Sequence, residues 1–199
     1  PARSGRIEID GDEVCVRSPN DGLKYGIGYV TEDRKLEGLI QAHSINHNMS
    51  MAGLQRFTSK LGKINKNNER KAVTQYIDAF SIKAQGIDTS IAQLSGGNQQ
   101  KVSIGKSLIP EPKILILDEP TRGVDVGAKR EIYALINELK AQGLCILLMS
   151  SDMPELLGVS DRILVMSNGF ITGEFGHGEA NQEVIMHCTL VGLTEGKQE

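Results

Sequence analysis

A serine followed by two glycines occupies positions 95–97, inside Leu94-Ser95-Gly96-Gly97-Asn98-Gln99-Gln100, and an Asp-Glu pair occupies positions 118 and 119. A serine hydroxyl and bare backbone amides at a helix start make a natural anion site. A plain helix cap would explain Ser95 but not the glycines, which cost roughly 1 kcal/mol apiece inside a helix. Glycines there let a phosphate approach the backbone. The acid pair ends the apolar run Ile114-Leu115-Ile116-Leu117 and precedes Pro120-Thr121. A lone acid pair is often a solvated cap, but a buried strand aiming it at the carboxyl edge of a sheet places it where α/β proteins bind ligands. There Asp118 can hold a divalent metal and Glu119 can orient or deprotonate a water. Phosphate tip and acid pair together point to nucleotide hydrolysis.

The elements that must position these residues are legible in the pattern. Arg6-Ile7-Glu8-Ile9, Asp10-Gly11 and Glu13-Val14-Cys15-Val16 read as a hairpin. Ile27-Gly28-Tyr29-Val30 reads as a short strand ending in Thr31-Glu32-Asp33-Arg34-Lys35. From 45 to 92 the pattern turns helical, with Val73, Tyr76, Ile77 and Phe80 on one face. Residues 114–117, 144–149 and 163–166 are expected strands. A helix over 128–142 carries Ile132, Leu135, Ile136 and Leu139, and another starts at Asp152 with Pro154 just inside. Asn168-Gly169 turns the last strand into 170–175, and the final twenty residues read as loosely held. Apolar strands alternating with amphipathic helices predict a parallel sheet with crossovers.

Composition narrows the class. Across 199 residues, 39% hydrophobic and 24% charged content is ordinary for a globular domain. A net charge of −3 offers no field for nucleic-acid phosphates. No run approaches the ~20 apolar residues of a membrane span. Cys15, Cys145 and Cys188 are odd in number and unpatterned, which favours a reducing compartment, and Cys145 reads as a buried thiol. Pro1-Ala2-Arg3-Ser4-Gly5 reads like the middle of a loop, so the chain is taken as part of something longer. His43 and His47 stand four apart without a third ligand, and His177, His187 and Cys188 lie in the polar tail; metal binding is not expected at either. Met49 and Met51 are expected to pack in the helical lobe.

These strings resemble the nucleotide-binding domain of ABC transporters over essentially the whole chain. The stretch 94–100 is similar to the family's signature motif, 114–119 to its Walker B motif, and Gly123-Val124-Asp125 to its D-loop. More narrowly, Thr31-Glu32-Asp33-Arg34-Lys35, the signature through Lys101, and Thr121-Arg122-Gly123-Val124-Asp125-Val126-Gly127-Ala128-Lys129 resemble the second half of the tandem ATP-binding subunit of bacterial monosaccharide importers of the ribose type. The resemblance implies an α/β fold of the P-loop NTPase (RecA-like) kind: a parallel sheet core with an inserted α-helical subdomain. It implies a residual β-subdomain over 1–35, a helical subdomain with the signature over 36–105, a core over 106–175 and a tail over 176–199. The first strands and the phosphate loop are expected to lie outside this sequence. Gly105-Lys106-Ser107 is no substitute, because the pattern needs glycine where Gln100 stands and a strand before it.

The resemblance assigns roles. Leu94, Ser95, Gly96, Gly97 and Gln99 would contact a nucleotide held by another domain. Asp118 would hold Mg²⁺, Glu119 would act on water, Asp125 would belong to the D-loop, and Glu32 would stand where the family usually has glutamine. Ser151 occupies the switch position, where histidine is usual. A serine cannot accept a proton as imidazole does, and capping beside Asp152 is its expected job, so this domain's own site is expected to be weakened. ATP and Mg²⁺ are the implied cofactors. The implied partners are the first ATP-binding half of the same subunit or a second copy, an integral-membrane sugar permease and, indirectly, a periplasmic sugar-binding protein, with no nucleic acid. The location would be the cytoplasmic face of the bacterial inner membrane, and the 199 residues alone are expected to be inactive. Two alternatives stand beside this reading: a non-catalytic regulatory half-domain that only lends its signature, and a soluble ABC ATPase outside transport.

Overall fold

The computed structural model describes residues 4–195. The loop expected at the amino terminus lies outside this range for residues 1–3, as does the end of the tail for 196–199. Two compact units divide the chain, Pro1–Met149 and Ser150–Glu199.

The first unit begins with an antiparallel hairpin of β1 (Ile7–Ile9) and β2 (Asp12–Val14), turned by Asp10 and Gly11 at φ +55 and +87. Helix α1 (Pro19–Lys24) starts at the cap Ser18, with proline in its first turn. Then β3 (Ile27–Val30), β4 (Ile114–Asp118) and β5 (Cys145–Met149) form a parallel sheet in that order. Tyr29 lies beside Ile116, and Asp118 beside Met149. Alternation along the strands decides which side is filled. Val30, Leu115 and Leu117 are buried on one face, where a side chain at Gly28 would meet the Ser107 carbonyl at 2.9 Å. Tyr29, Leu147 and Met149 share the other face and are exposed.

That alternation corrects the expectation of a buried Cys145: the thiol is exposed, because its position on edge strand β5 puts it on the open face with Leu147 and Met149. The helical stretch between β3 and β4 is more broken than the pattern suggested. It contains α2 (Ile45–Ser50), a 3₁₀ run Met51–Phe57, α3 (Lys66–Ala79) and α4 (Gly96–Leu108). Met49 is fully buried, and a side chain at Gly105 would lie 2.6 Å from its methyl; Met51, by contrast, is exposed. Glu69 is buried but satisfied, accepting from Ser50 Oγ at 2.6 Å and Asn46 Nδ2 at 3.2 Å. Tyr76 donates to the Leu108 carbonyl at 3.1 Å, which fastens α3 to the end of α4. Gly105, Lys106 and Ser107 all lie within α4, as the rejection of a phosphate loop there requires. Burial lowers the Lys106 pKa, and its ammonium donates to the Gly38 carbonyl at 2.7 Å. Helix α5 (Val126–Ala141) buries Ile132, Leu135, Ile136 and Leu139, the face read from the spacing.

The second unit holds α6 (Met153–Val159), a hairpin of β6 (Arg162–Ser167) and β7 (Phe170–Gly176), and α7 (Gln182–Glu195). The third strand pairs antiparallel with β7 across a tight turn at Asn168 and Gly169, at φ +51 and +85, the hairpin that the sequence predicts. One expectation changes here. The tail expected to be loose contains α7, whose Ile185 is buried with Ile163 and Val165 in one apolar cluster.

Candidate functional site

Ser95 caps α4 with an extended backbone, φ −62 and ψ 158. Its hydroxyl accepts from the Asn98 amide nitrogen of the backbone at 3.5 Å and from Asn98 Nδ2 at 2.9 Å. Asn98 Oδ1 in turn accepts from the Lys83 backbone N–H at 2.9 Å. Ser95 is exposed and Gly96 half-buried at the start of a 13-residue helix, whose N-terminus carries the partial positive charge an anion needs. The glycines have a second purpose. A Cβ at Gly97 would stand 2.5 Å from the Ala128 Cβ on α5, and one at Gly96 would stand 3.0 Å from Arg34 Nη2. Gly97 therefore excludes a side chain on packing grounds, whereas one at Gly96 would have to displace the end of the Arg34 side chain.

Two residues of the expected contact set point the other way. Leu94 is buried, and so is Gln99, whose Nε2 donates to the carbonyls of Ile91 at 3.1 Å and Leu94 at 3.2 Å. The Gln99 amide thus fastens the turn that enters α4 to the backbone of Ile91 and Leu94. Of the predicted set, Ser95 is exposed and Gly96 half-buried.

Asp118 ends β4 at the carboxyl edge of the sheet and accepts from Tyr29 Oη at 2.8 Å. That bond, followed by burial, raises the Tyr29 pKa. Glu119 has φ +44, the left-handed region, which costs of order 1 kcal/mol or more for a residue with a side chain. The turn is fixed on both sides: Glu119 N–H donates to Met149 O at 2.8 Å, and Arg122 N–H donates to Glu119 O at 3.0 Å. Asp10, Ser81, Glu111 and Asn168 share the positive φ, but of the five only Glu119 directly follows an acid that ends a strand of the parallel sheet. Asp125 caps α5, accepting from the Ala128 N–H at 2.9 Å. Ser151 lies in the second unit and is exposed. Asp152 caps the helix that follows, accepting from Glu155 N–H at 3.2 Å, and its own N–H donates to Ser150 Oγ at 3.0 Å.

Glu32 forms an ion pair with Arg122, so it is brought to the turn after the acid pair. Together with Asp33, Arg34 and Lys35 these two line a cleft of about 200 Å³. Another cavity, of about 900 Å³, is lined by Lys113, Ile114 and Cys145 at the amino ends of β4 and β5, the opposite end from the acids. Among the described residues no three His, Cys, Asp or Glu gather as metal ligands. The donor set of one strand-end carboxylate with a second acid next in sequence fits Mg²⁺, which takes one or two carboxylates and fills its shell with phosphate oxygens and water.

Sequence reasoning missed Tyr29, Asn98 and Arg34 as parts of this site. Tyr29 was within reach: strand alternation puts it on the open face, one register step from Asp118. Nothing in the spacing pairs Arg34 with residues 88 and 89 positions away.

Known proteins resemble this chain in sequence and fold. A family model described as "ABC transporter" matches residues 1–122. The chain is 50% identical over 183 residues to the ribose import ATP-binding protein RbsA of Caldanaerobacter subterraneus subsp. tengcongensis; this covers 92% of the chain and 37% of that protein. The chain thus spans little more than a third of that relative's length. Among solved structures, the ATP-binding cassette MJ1267 of an ABC transporter superposes with a TM-score of 0.77 at 23% identity, covering 96% of this chain and 77% of that one. The dimeric post-hydrolysis state of the cassette MJ0796, bound to ADP and Pi, superposes with a TM-score of 0.72 at 21% identity, covering 87% and 74%. These likenesses show the fold, an α/β P-loop NTPase core. No helix among the described residues is long and apolar enough to cross a membrane.

Proposed function

The chain belongs to the ABC transporter family, and from that premise we propose that it is part of an ATP-hydrolysing subunit that drives import of a ribose-like monosaccharide. The observation that carries the hydrolytic reading is the strained Glu119 turn directly after Asp118, at the carboxyl edge of a parallel sheet. On this reading Asp118 would hold Mg²⁺, which when bound would neutralise charge on the phosphate oxygens. Glu119 takes or steers the proton of the attacking water, and its fixed backbone keeps the carboxylate at that task. Ser95 and the α4 amides meet the triphosphate of a second nucleotide-binding domain, either the other half of the same subunit or a second copy. Preorganised donors of this kind are worth about 3 kcal/mol each at a developing charge.

The sugar assignment leans on the ribose import relative and on the strings at 31–35 and 121–129. It implies a membrane permease as partner at the cytoplasmic face of the inner membrane, with a sugar-binding protein beyond it. The helical stretch after Glu32 carries exposed apolar residues, among them Leu36 at 85% and Leu61 at 96% exposure, suited to a protein contact. Full-length protein reconstituted with a sugar permease tests this. Ribose-stimulated ATP turnover and cross-links from residues 36–60 to the permease are the expected results. Turnover indifferent to any pentose or hexose, with no such cross-link, would sink the transport assignment.

A second reading, in which this domain lends its tip but turns over no nucleotide of its own, is favoured by Ser151 at the switch position and by Glu32 being engaged with Arg122. Substitution of Glu119 separates the two.

A further inference from the structure

We propose that Arg34 is a positioning residue that couples the Glu32 segment to both nucleotide-facing elements, the turn after the acid pair and the glycine tip of α4; this rests on the nucleotide-hydrolysing reading above. Arg34 opens a short π-helix, Arg34–Gly38, immediately after the segment that bears Glu32. Only 9% of it is exposed, an unusual place for a guanidinium; its two Nη groups are engaged while Nε is buried without a hydrogen-bond partner. Nη1 donates to the Arg122 carbonyl at 2.8 Å and Nη2 to the Gly123 carbonyl at 3.2 Å. Gly123, at φ +67, lets two successive carbonyls face the same donor, a conformation that strains any L side chain. The same Nη2 lies 3.0 Å from where a Cβ of Gly96 would be.

One planar cation therefore holds the backbone of the 122–123 turn by two hydrogen bonds and fills the space that a side chain on Gly96, the first glycine of the tip, would need. Glu32 reinforces the link from the other side by pairing with the Arg122 side chain. Any displacement of 32–38 must drag Arg122 and Gly123, and with them the turn that starts at Glu119 and ends at the α5 cap. Lysine reproduces only part of this geometry, because its donors radiate from one nitrogen, whereas the guanidinium presents two nitrogens in a fixed plane to two separate carbonyls.

Arg34→Met and Arg34→Lys in the full-length protein test the link by two readouts. Amide exchange is read at Arg122 and Val124, whose N–H groups donate to Glu119 and Thr121 carbonyls. We expect at least tenfold faster exchange there in R34M, an intermediate rate in R34K, and unchanged exchange at Leu115 and Ile132. ATP turnover is expected to fall about tenfold or more with KM for ATP unchanged, and R34K to restore part of it. Unchanged exchange at Arg122 and Val124 in folded R34M overturns the proposal, as does a raised KM at constant kcat. Should R34M fail to fold, the same exchange comparison in R34K decides. If the wild-type protein neither binds nor hydrolyses ATP, the functional reading fails while the exchange result still decides the Arg34 link.

Discussion

The serine-glycine tip and the acid pair are built in opposite ways. The tip is packed from behind: Gly97 leaves no room for a side chain against Ala128, and Gln99 is turned inward, while Ser95 remains exposed. The acid pair sits on a strained turn at a sheet edge, Asp118 held by a single tyrosine hydroxyl and Glu119 at φ +44. A contact that must present fixed donors to another molecule gains from close packing. A group that must move a proton gains from an enforced orientation, at a cost to stability. On the proposed function, one nucleotide reaction would draw on packing at one end and on strain at the other.

The comparison can be broken most sharply at Gly97. Gly97→Val would force α4 off Ala128, and a loss of about 3 kcal/mol is expected from overpacking; chemical denaturation checks it. A loss below about 0.5 kcal/mol would mean that the tip is loosely backed after all. Ser95→Ala removes the cap hydroxyl and is expected to lower stability by about 1 kcal/mol. Glu119→Gly works in the other sense. Relief of the left-handed backbone is expected to raise stability by about 0.5–1 kcal/mol and to abolish turnover; a destabilised Gly variant would argue against strain. The smallest effect is expected at Lys101, buried and paired with Glu131 Oε2 at 2.7 Å across α4 and α5. Hydrogen bonding and charge from Lys101 lower the Glu131 pKa. The stabilisation from this pair, within about 1 kcal/mol for a half-exposed partner, is therefore present above the ordinary glutamate pKa. It is lost as pH falls through the lowered folded value. In Lys101→Met the pH dependence of denaturation should flatten in that acid range.

Much of this was legible in the residues. The α5 stripe, the hairpin turns at Gly11 and Gly169 and the strand ending in Asp118 follow from local periodicity and turn chemistry, which need no tertiary information. The exposure of Cys145 was not legible, because an apolar run says nothing about which strand is the edge. Nor was α7: Gln182–Glu195 carries weak amphipathic order, and its burial of Ile185 depends on a hairpin that forms from other residues. Polar residues misled in both directions. Gln99 sits in a motif that suggests ligand contact yet bonds inward, while Arg34 sits in a charged run that suggests solvent yet is buried on two carbonyls. Side-chain destination is a long-range property, and spacing does not encode it.

The most direct test of the account is ATP hydrolysis by the full-length protein carrying Glu119→Gln, measured beside ATP binding. The account predicts turnover reduced at least a hundredfold, the scale of a lost general base, with ATP affinity unchanged. Undiminished turnover in that variant would contradict it, and would leave the tip as the domain's contribution to a reaction carried out elsewhere.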